Sequence, residues 1–150
     1  HVEAMNLLIS KKADLEARNL HGWTPLMWAA IDGKVAAAAT LLEASADFHA
    51  VDGQRRTACM WAARHGHQDV LKLLLARNLD LHQQDEDGMT AMDHATEHLS
   101  LKAAIVLTEE RNRRLLDAAQ RSDIQAVREA VEEGACVDTK DEQGWTPLMW

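Results

Sequence analysis

The chain has 150 residues, of which 47% are hydrophobic, and a net charge of −8. That acidic balance argues against nucleic acid and anionic membrane surfaces as partners, because both demand a basic footprint. No run of about 18 apolar residues occurs, so no membrane span is expected, and no signal peptide is visible. Two cysteines, Cys59 and Cys136, lack metal-type spacing. Reduced thiols suit a cytoplasmic or nuclear protein.

Residues 22–28 and 144–150 are the same seven letters, Gly-Trp-Thr-Pro-Leu-Met-Trp. Thr24, Thr57 and Thr90 follow one another at a step of 33 residues, as do Leu8, Leu41, Leu74 and Leu107, and Asp14, Asp47 and Asp80. A fixed period of this size marks a repeat array and outranks any local propensity.

In chain order, residues 2–10 align with 35–43 and predict an outer helix with Ala4, Met5 and Leu8 inward. Residues 13–22 carry a connecting loop. Thr24 can cap the next helix, and Pro25 fits a first turn that needs no amide donor. An inner helix is predicted over 24–32, stopped at Gly33. An outer one follows over 35–44, with Ala37, Ala38 and Leu41 inward.

The next repeat copies this plan. Arg55 stands where Gly22 stood, which predicts a different or strained turn. Cys59 takes the place of Leu26 and reads as a small core residue. Helices are predicted over 57–64 and 68–76, with Gly66 between them. The third unit keeps Gly88 and Thr90 but puts Leu99-Ser100 where Gly66-His67 stood, the loss of pattern expected of a capping repeat. The phase then breaks: Thr90 to Thr146 spans 56 residues, ten short of two periods. The missing part is a loop before Leu115. Residues 102–122 hold neither Gly nor Pro, which allows one fused helix. A second helix is predicted over 124–133, with Gly134 at its end.

The blocks TPLMWAA at 24–30, TACMWAA at 57–63 and TAMDHAT at 90–96 resemble the repeat signature of the ankyrin-repeat family. The resemblance implies an all-α ankyrin-repeat solenoid of helix–turn–helix units joined by β-hairpin loops, about five units including caps. On that reading, residues 1–114 are repeats ending in a C-terminal capping repeat. Residues 115–150 are an N-terminal capping repeat and the start of the next repeat. Trp150 is equivalent to Trp28 and His1 to Lys34, so five equivalent positions are skipped between the ends. The expectation is an array whose order is rotated or fused.

The resemblance also implies function: a non-catalytic protein–protein interaction module that grips a protein or peptide with hairpin tips and the concave inner-helix face. The candidate binding residues form columns: Leu20, His21, Trp23, Ile31 and Asp32; Gln54, Arg56, Arg64 and His65; Asp87, Met89, Glu97 and His98; with Trp145 at the last tip. Trp and Arg are favoured types at binding hot spots, which singles out Trp23 and Arg56. Trp28, Trp61 and Trp150 share an inner-helix position and read as core. A regulatory or targeting domain of a larger enzyme or signalling protein is the alternative. His49 and His82 fill a position that the family's hydroxylases modify, and are candidates for hydroxylation on that resemblance.

His94 to His98 matches the HxxEH pattern of zinc hydrolases, in which two helical histidines bind zinc. Against it, His94 takes the place of Trp61 and no distinct third-ligand motif follows. No metal, cofactor or catalytic residue is therefore assigned. No P-loop, GxGxxG, GxSxG or Cys-x-x-Cys is present. The run Glu109 to Arg114 reads as a solvated helix face.

Overall fold

The computed structural model describes residues 2–77 and 79–150. Among them are eight helices: α1 (Val2–Ser10), α2 (Pro25–Ile31), α3 (Val35–Glu43), α4 (Ala58–Arg64), α5 (Gln68–Leu75), α6 (Ala91–Glu97), α7 (Leu101–Gln120) and α8 (Ile124–Glu132). A 3-10 turn covers Pro147–Met149, and no strand occurs among the described residues. The chain divides into two compact units, His1–Ala104 and Ile105–Trp150, with the boundary inside α7.

In the first unit the inner helices form one row, α2 against α4 and α4 against α6. The outer helices form a second row, α1 against α3 and α3 against α5, and the pairs α2–α3 and α4–α5 close each repeat. Each inner helix starts because a threonine with extended backbone accepts an amide from the first turn. Thr24, Thr57 and Thr90 accept from Met27, Met60 and Asp93, each at 3.3 Å. Such a cap is worth about 1 kcal/mol.

Alanines let these helices approach. Ala30, Ala62, Ala63 and Ala95 are fully buried. Leucines from the outer row fill the space behind them: Leu41, Leu42, Leu71, Leu74 and Leu75 are all buried. Burying one such side chain contributes about 1.5–3 kcal/mol, and no single repeat offers enough of them to fold alone. Cys59, in Leu26's place, is buried.

The loops between repeats are hairpin-shaped turns too short for a strand ladder. Each is closed by two backbone bonds: Asp52 N–H to Arg56 C=O at 3.0 Å and Arg55 N–H to Asp52 C=O at 3.1 Å, with the same pair at 19–23 and 85–89. Arg55 keeps the ordinary turn by adopting φ 61°, beside Gly22 at 78° and Gly88 at 76°. The strain expected there is borne by its backbone rather than relieved by another turn type.

Three sequence expectations are corrected. Ala4 and Leu8 were expected inward, yet both are exposed, Leu8 at 58%. α1 packs on α3, and its Leu8 lines an open groove shared with Trp28 rather than a closed core. Trp28 and Trp150 were read as core alongside Trp61. Trp61 is 7% exposed, but Trp28 is 50% and Trp150 49%. Trp61 sits in the middle inner helix with a neighbour on each side, whereas Trp28 is on the first inner helix of its row. Finally, Glu110 is not part of a merely solvated face. Its side chain is 11% exposed and receives Arg113 at 2.7 Å and Arg114 at 2.8 Å. Burial alone would raise its pKa, but these two guanidiniums hold it below the usual value.

The second unit contains the rest of α7, α8 and a final tip. Leu115 on α7 packs with Ala130, Ala135 and Val127. Asp123 caps α8 by accepting the Ala126 amide at 3.1 Å, and Asn112 accepts the Cys136 amide at 2.8 Å. The fused helix that the lack of Gly and Pro allows is present as one continuous element, α7. His1, on which the expected junction with Trp150 depends, lies outside the described residues.

Candidate binding surface

A column of Asx residues that the sequence reading did not single out organises the tips. Asn19, Asp52 and Asp85 stand 33 residues apart, and Asp141 opens the last tip. In every tip the Oδ1 atom accepts two backbone amides. Asn19 takes those of His21 and Trp23, Asp52 those of Gln54 and Arg56, Asp85 those of Asp87 and Met89, and Asp141 those of Gln143 and Trp145. A short polar side chain that bonds its own backbone two residues on makes an Asx turn. The 33-residue step would have revealed this column had it been followed from Asn19.

At Asp52 the second oxygen gathers the first two columns of candidates. Oδ2 accepts the Trp61 indole N–H at 3.0 Å, the Trp23 indole N–H at 3.3 Å and the Arg56 Nε–H at 3.3 Å. The carboxylate is buried, so these charge-assisted bonds compensate the loss of water. Around it the rings form a ladder. His21 stacks on Trp23 at 4.7 Å and Trp23 on Trp28 at 5.7 Å. Trp23 meets Trp61 edge-on at 5.2 Å, and Trp61 stacks on His65 at 5.9 Å. The Arg56 guanidinium lies 4.0 Å over the Trp61 ring and that of Arg64 lies 5.9 Å away, both in cation–π range.

So the structure brings His21, Trp23, Arg56, Arg64 and His65 together. Leu20 and Gln54 project beside them as exposed tip residues, and Leu20 is fully exposed. Ile31 is half-buried at the end of α2, where Asp32 is the exposed C-cap. Trp23 and Trp28 also flank an open groove of about 360 Å³ with Arg18 and Pro25. On its other side Trp28 borders a more apolar groove of about 320 Å³, lined by Met5, Leu8, Ile9, Leu15 and Leu41. His65 is held below its ordinary pKa of 6.5, first by burial, then by the positive charges of His67, Arg64 and His98.

The third column is different in kind. Asp87 is an exposed tip residue and Met89 is half-buried. Asp85 repeats the Asp52 arrangement with one ring in place of two indoles: its Oδ2 lies 2.8 Å from His94 Nε2. Burial would raise the Asp85 pKa. The amides of Met89 and Asp87 and the His94 contact outweigh that and lower it. Glu97 and His98 are exposed at the end of α6, and one ligand atom from each of His94, Glu97 and His98 falls within 4.8 Å of the others.

Trp145 belongs to the second unit, where it packs on Trp150 at 5.2 Å. His49 and His82 are exposed, and their backbone amides bond Asp47 at 2.9 Å and Asp80 at 2.8 Å. The turn at this position is thus tied by the aspartates.

Paired helices stacked in two rows, with Asx-pinned tips carrying aromatic and cationic side chains, define a helical repeat protein. The family model for ankyrin repeats in many copies matches residues 26–75 and 59–108, together more than half of the chain. The chain belongs to the ankyrin-repeat family. Members of that family are generally protein-interaction modules and typically lack enzymatic activity. No curated protein matches the chain. Among the described residues, no helix is long and apolar enough to cross a membrane.

Proposed function

We propose that the first unit is a non-catalytic adaptor or scaffold that binds a protein segment across the tips and inner-helix ends of its first two repeats. The observation that carries this is the Trp23–Trp28–Trp61 cluster with Arg56 and Arg64 above it. Much of Trp28 faces solvent, and Leu20 stands beside the cluster fully exposed. Rigid aromatic rings supply contact area at little entropic cost, and guanidiniums recognise carboxylates in fixed geometry. The partner best suited is therefore a segment with apolar side chains and flanking acidic groups. The chain as a whole is acidic, but Arg18, Arg56 and Arg64 gather at this cluster, which would orient such a segment during encounter.

The test is a selection of binding peptides from a random displayed library, followed by affinity measurement against variants. Trp23→Ala and Arg56→Ala also remove bonds to Asp52, so Leu20→Glu and Arg64→Ala are included as changes that leave that carboxylate untouched. Enriched peptides combining apolar and acidic residues, with affinity lost about tenfold or more in Leu20→Glu or Arg64→Ala, support the reading. Affinity unaffected by all four changes overturns it.

A further inference from the structure

We propose that His94, Glu97 and His98 form a binding site for one divalent transition ion of the zinc class at the end of α6, supported from behind by Asp85. None of its three ligands belongs to the aromatic cluster.

Three observations converge. His94 is 2% exposed, and its Nδ1 is buried with no hydrogen-bond partner among the described residues. Leaving a buried polar atom unmatched costs free energy, and it is rare enough in folded proteins to need an explanation. The other ring nitrogen, Nε2, is 2.8 Å from the Asp85 carboxylate. An ionised carboxylate only accepts, so Nε2 donates to Asp85, and in the neutral ring that tautomer leaves a lone pair on Nδ1. A histidine that gives one N–H to a carboxylate and keeps its other nitrogen free of hydrogen bonds is the arrangement by which proteins fix the tautomer of metal-ligating imidazoles.

The remaining donors are already gathered. Residues three and four positions on from His94 stand over the same helix face. One ligand atom each from His94, Glu97 and His98 lies within 4.8 Å of the other two, and His98 Nε2 is 3.4 Å from Glu97 Oε2. Ligand bonds of about 2.0–2.2 Å require only a modest inward turn of the two exposed side chains. The site also lies at the carboxyl end of α6, where the helix dipole favours a cation. Two imidazoles and one carboxylate suit zinc-class ions rather than calcium or magnesium, which prefer oxygen.

The sequence pattern alone argued against zinc because His94 replaces a core tryptophan and a third ligand was not evident. In this proposal burial is what prepares His94, and Glu97 is the third ligand. As a ligand, Glu97 is not free to act as the base of a hydrolase, so the site is assigned binding and no reaction.

The experiment is calorimetric titration of the purified chain with Zn²⁺, with Co²⁺ absorption as a reporter of ligand geometry. One saturable equivalent is expected. Affinity should fall about tenfold or more in His98→Ala and in Glu97→Gln, and about 10–100-fold in Asp85→Asn. Asp85→Asn is the informative change, because Asn19 holds the equivalent tip amides through the same Oδ1 atom, so the turn survives while the support for His94 is lost. His49→Gln and His65→Gln should leave affinity unchanged. Absence of saturable binding, unchanged affinity in His98→Ala or Asp85→Asn, or equal loss in His65→Gln would each overturn the site.

Discussion

Trp61 gives its indole N–H to Asp52 at 3.0 Å, and one repeat later His94 meets Asp85 at 2.8 Å across the same nine-residue separation. One backbone plan thus serves two chemistries. In the second repeat the carboxylate collects indoles and a guanidinium into a recognition cluster. In the third it orients an imidazole.

The carboxylate of Asp52 should accordingly be the most sensitive polar group of the first unit. Asp52→Ala leaves two tip amides and the buried Trp61 N–H without an acceptor, and is expected to cost about 3 kcal/mol or more, at roughly 1–3 kcal/mol per stranded buried group. Asp52→Asn keeps Oδ1 for the amides and loses only the Oδ2 contacts, so about 1–2 kcal/mol is expected. Urea unfolding followed by tryptophan fluorescence measures both. Equal midpoints for the two variants would show that the indole contacts, and not the turn, dominate.

Leu99 offers the opposite kind of test. It occupies the helix-end position of Gly33 and Gly66 and adopts the same left-handed backbone, φ 53° beside 65° and 73°. Its side chain is 82% exposed, so little packing compensates the strain. Leu99→Gly should stabilise the chain by about 1 kcal/mol, the penalty a side chain carries in that conformation. A lower thermal midpoint in the variant would contradict this account.

The same position shows where sequence reasoning succeeds and where it stops. The 33-residue step located α1 to α5 to within one or two residues, because threonine caps and alanine pairs act locally and recur. It also led to reading Leu99-Ser100 as lost pattern. In space the pattern persists: Ser100 Oγ donates to the Arg64 carbonyl at 3.2 Å, just as the His67 ring reaches the Ile31 carbonyl at 3.0 Å. Two different side chains make one contact, which letters cannot reveal. The fates of Trp28 and Trp61 were equally hidden. The residues and their neighbours in sequence are alike, and burial is decided by whether another inner helix lies on each flank.

That contact makes Gly33 demanding for a second reason. A Cβ on Gly33 would lie 2.5 Å from the His67 ring, whereas one on Gly88 would meet nothing within 4 Å. Both glycines have positive φ, 65° and 76°. Gly88→Ala should therefore cost only the backbone penalty of about 1–2 kcal/mol. Gly33→Ala adds displacement of His67 and loss of its bond to Ile31, worth about 1 kcal/mol more. Chemical denaturation of the two variants side by side checks the order, and His67→Ala placed on Gly33→Ala should recover part of the difference.

Acidification should weaken the first unit through His65. Its folded pKa lies below 6.5 because burial and the neighbouring charges of His67, Arg64 and His98 disfavour the protonated ring, opposed only by Asp32. Well above pH 6.5 the ring is neutral in both states and its contribution is fully present. As pH falls below that value the unfolded chain takes up the proton first, so stability declines until the folded ring protonates at its own lower pKa. Unfolding midpoints measured between about pH 7.5 and pH 5 should drop further in the native chain than in His65→Gln, where this site is silent. Parallel curves for the two proteins would show that the other histidines account for the whole pH dependence, and that the Trp61–His65 stack is indifferent to charge.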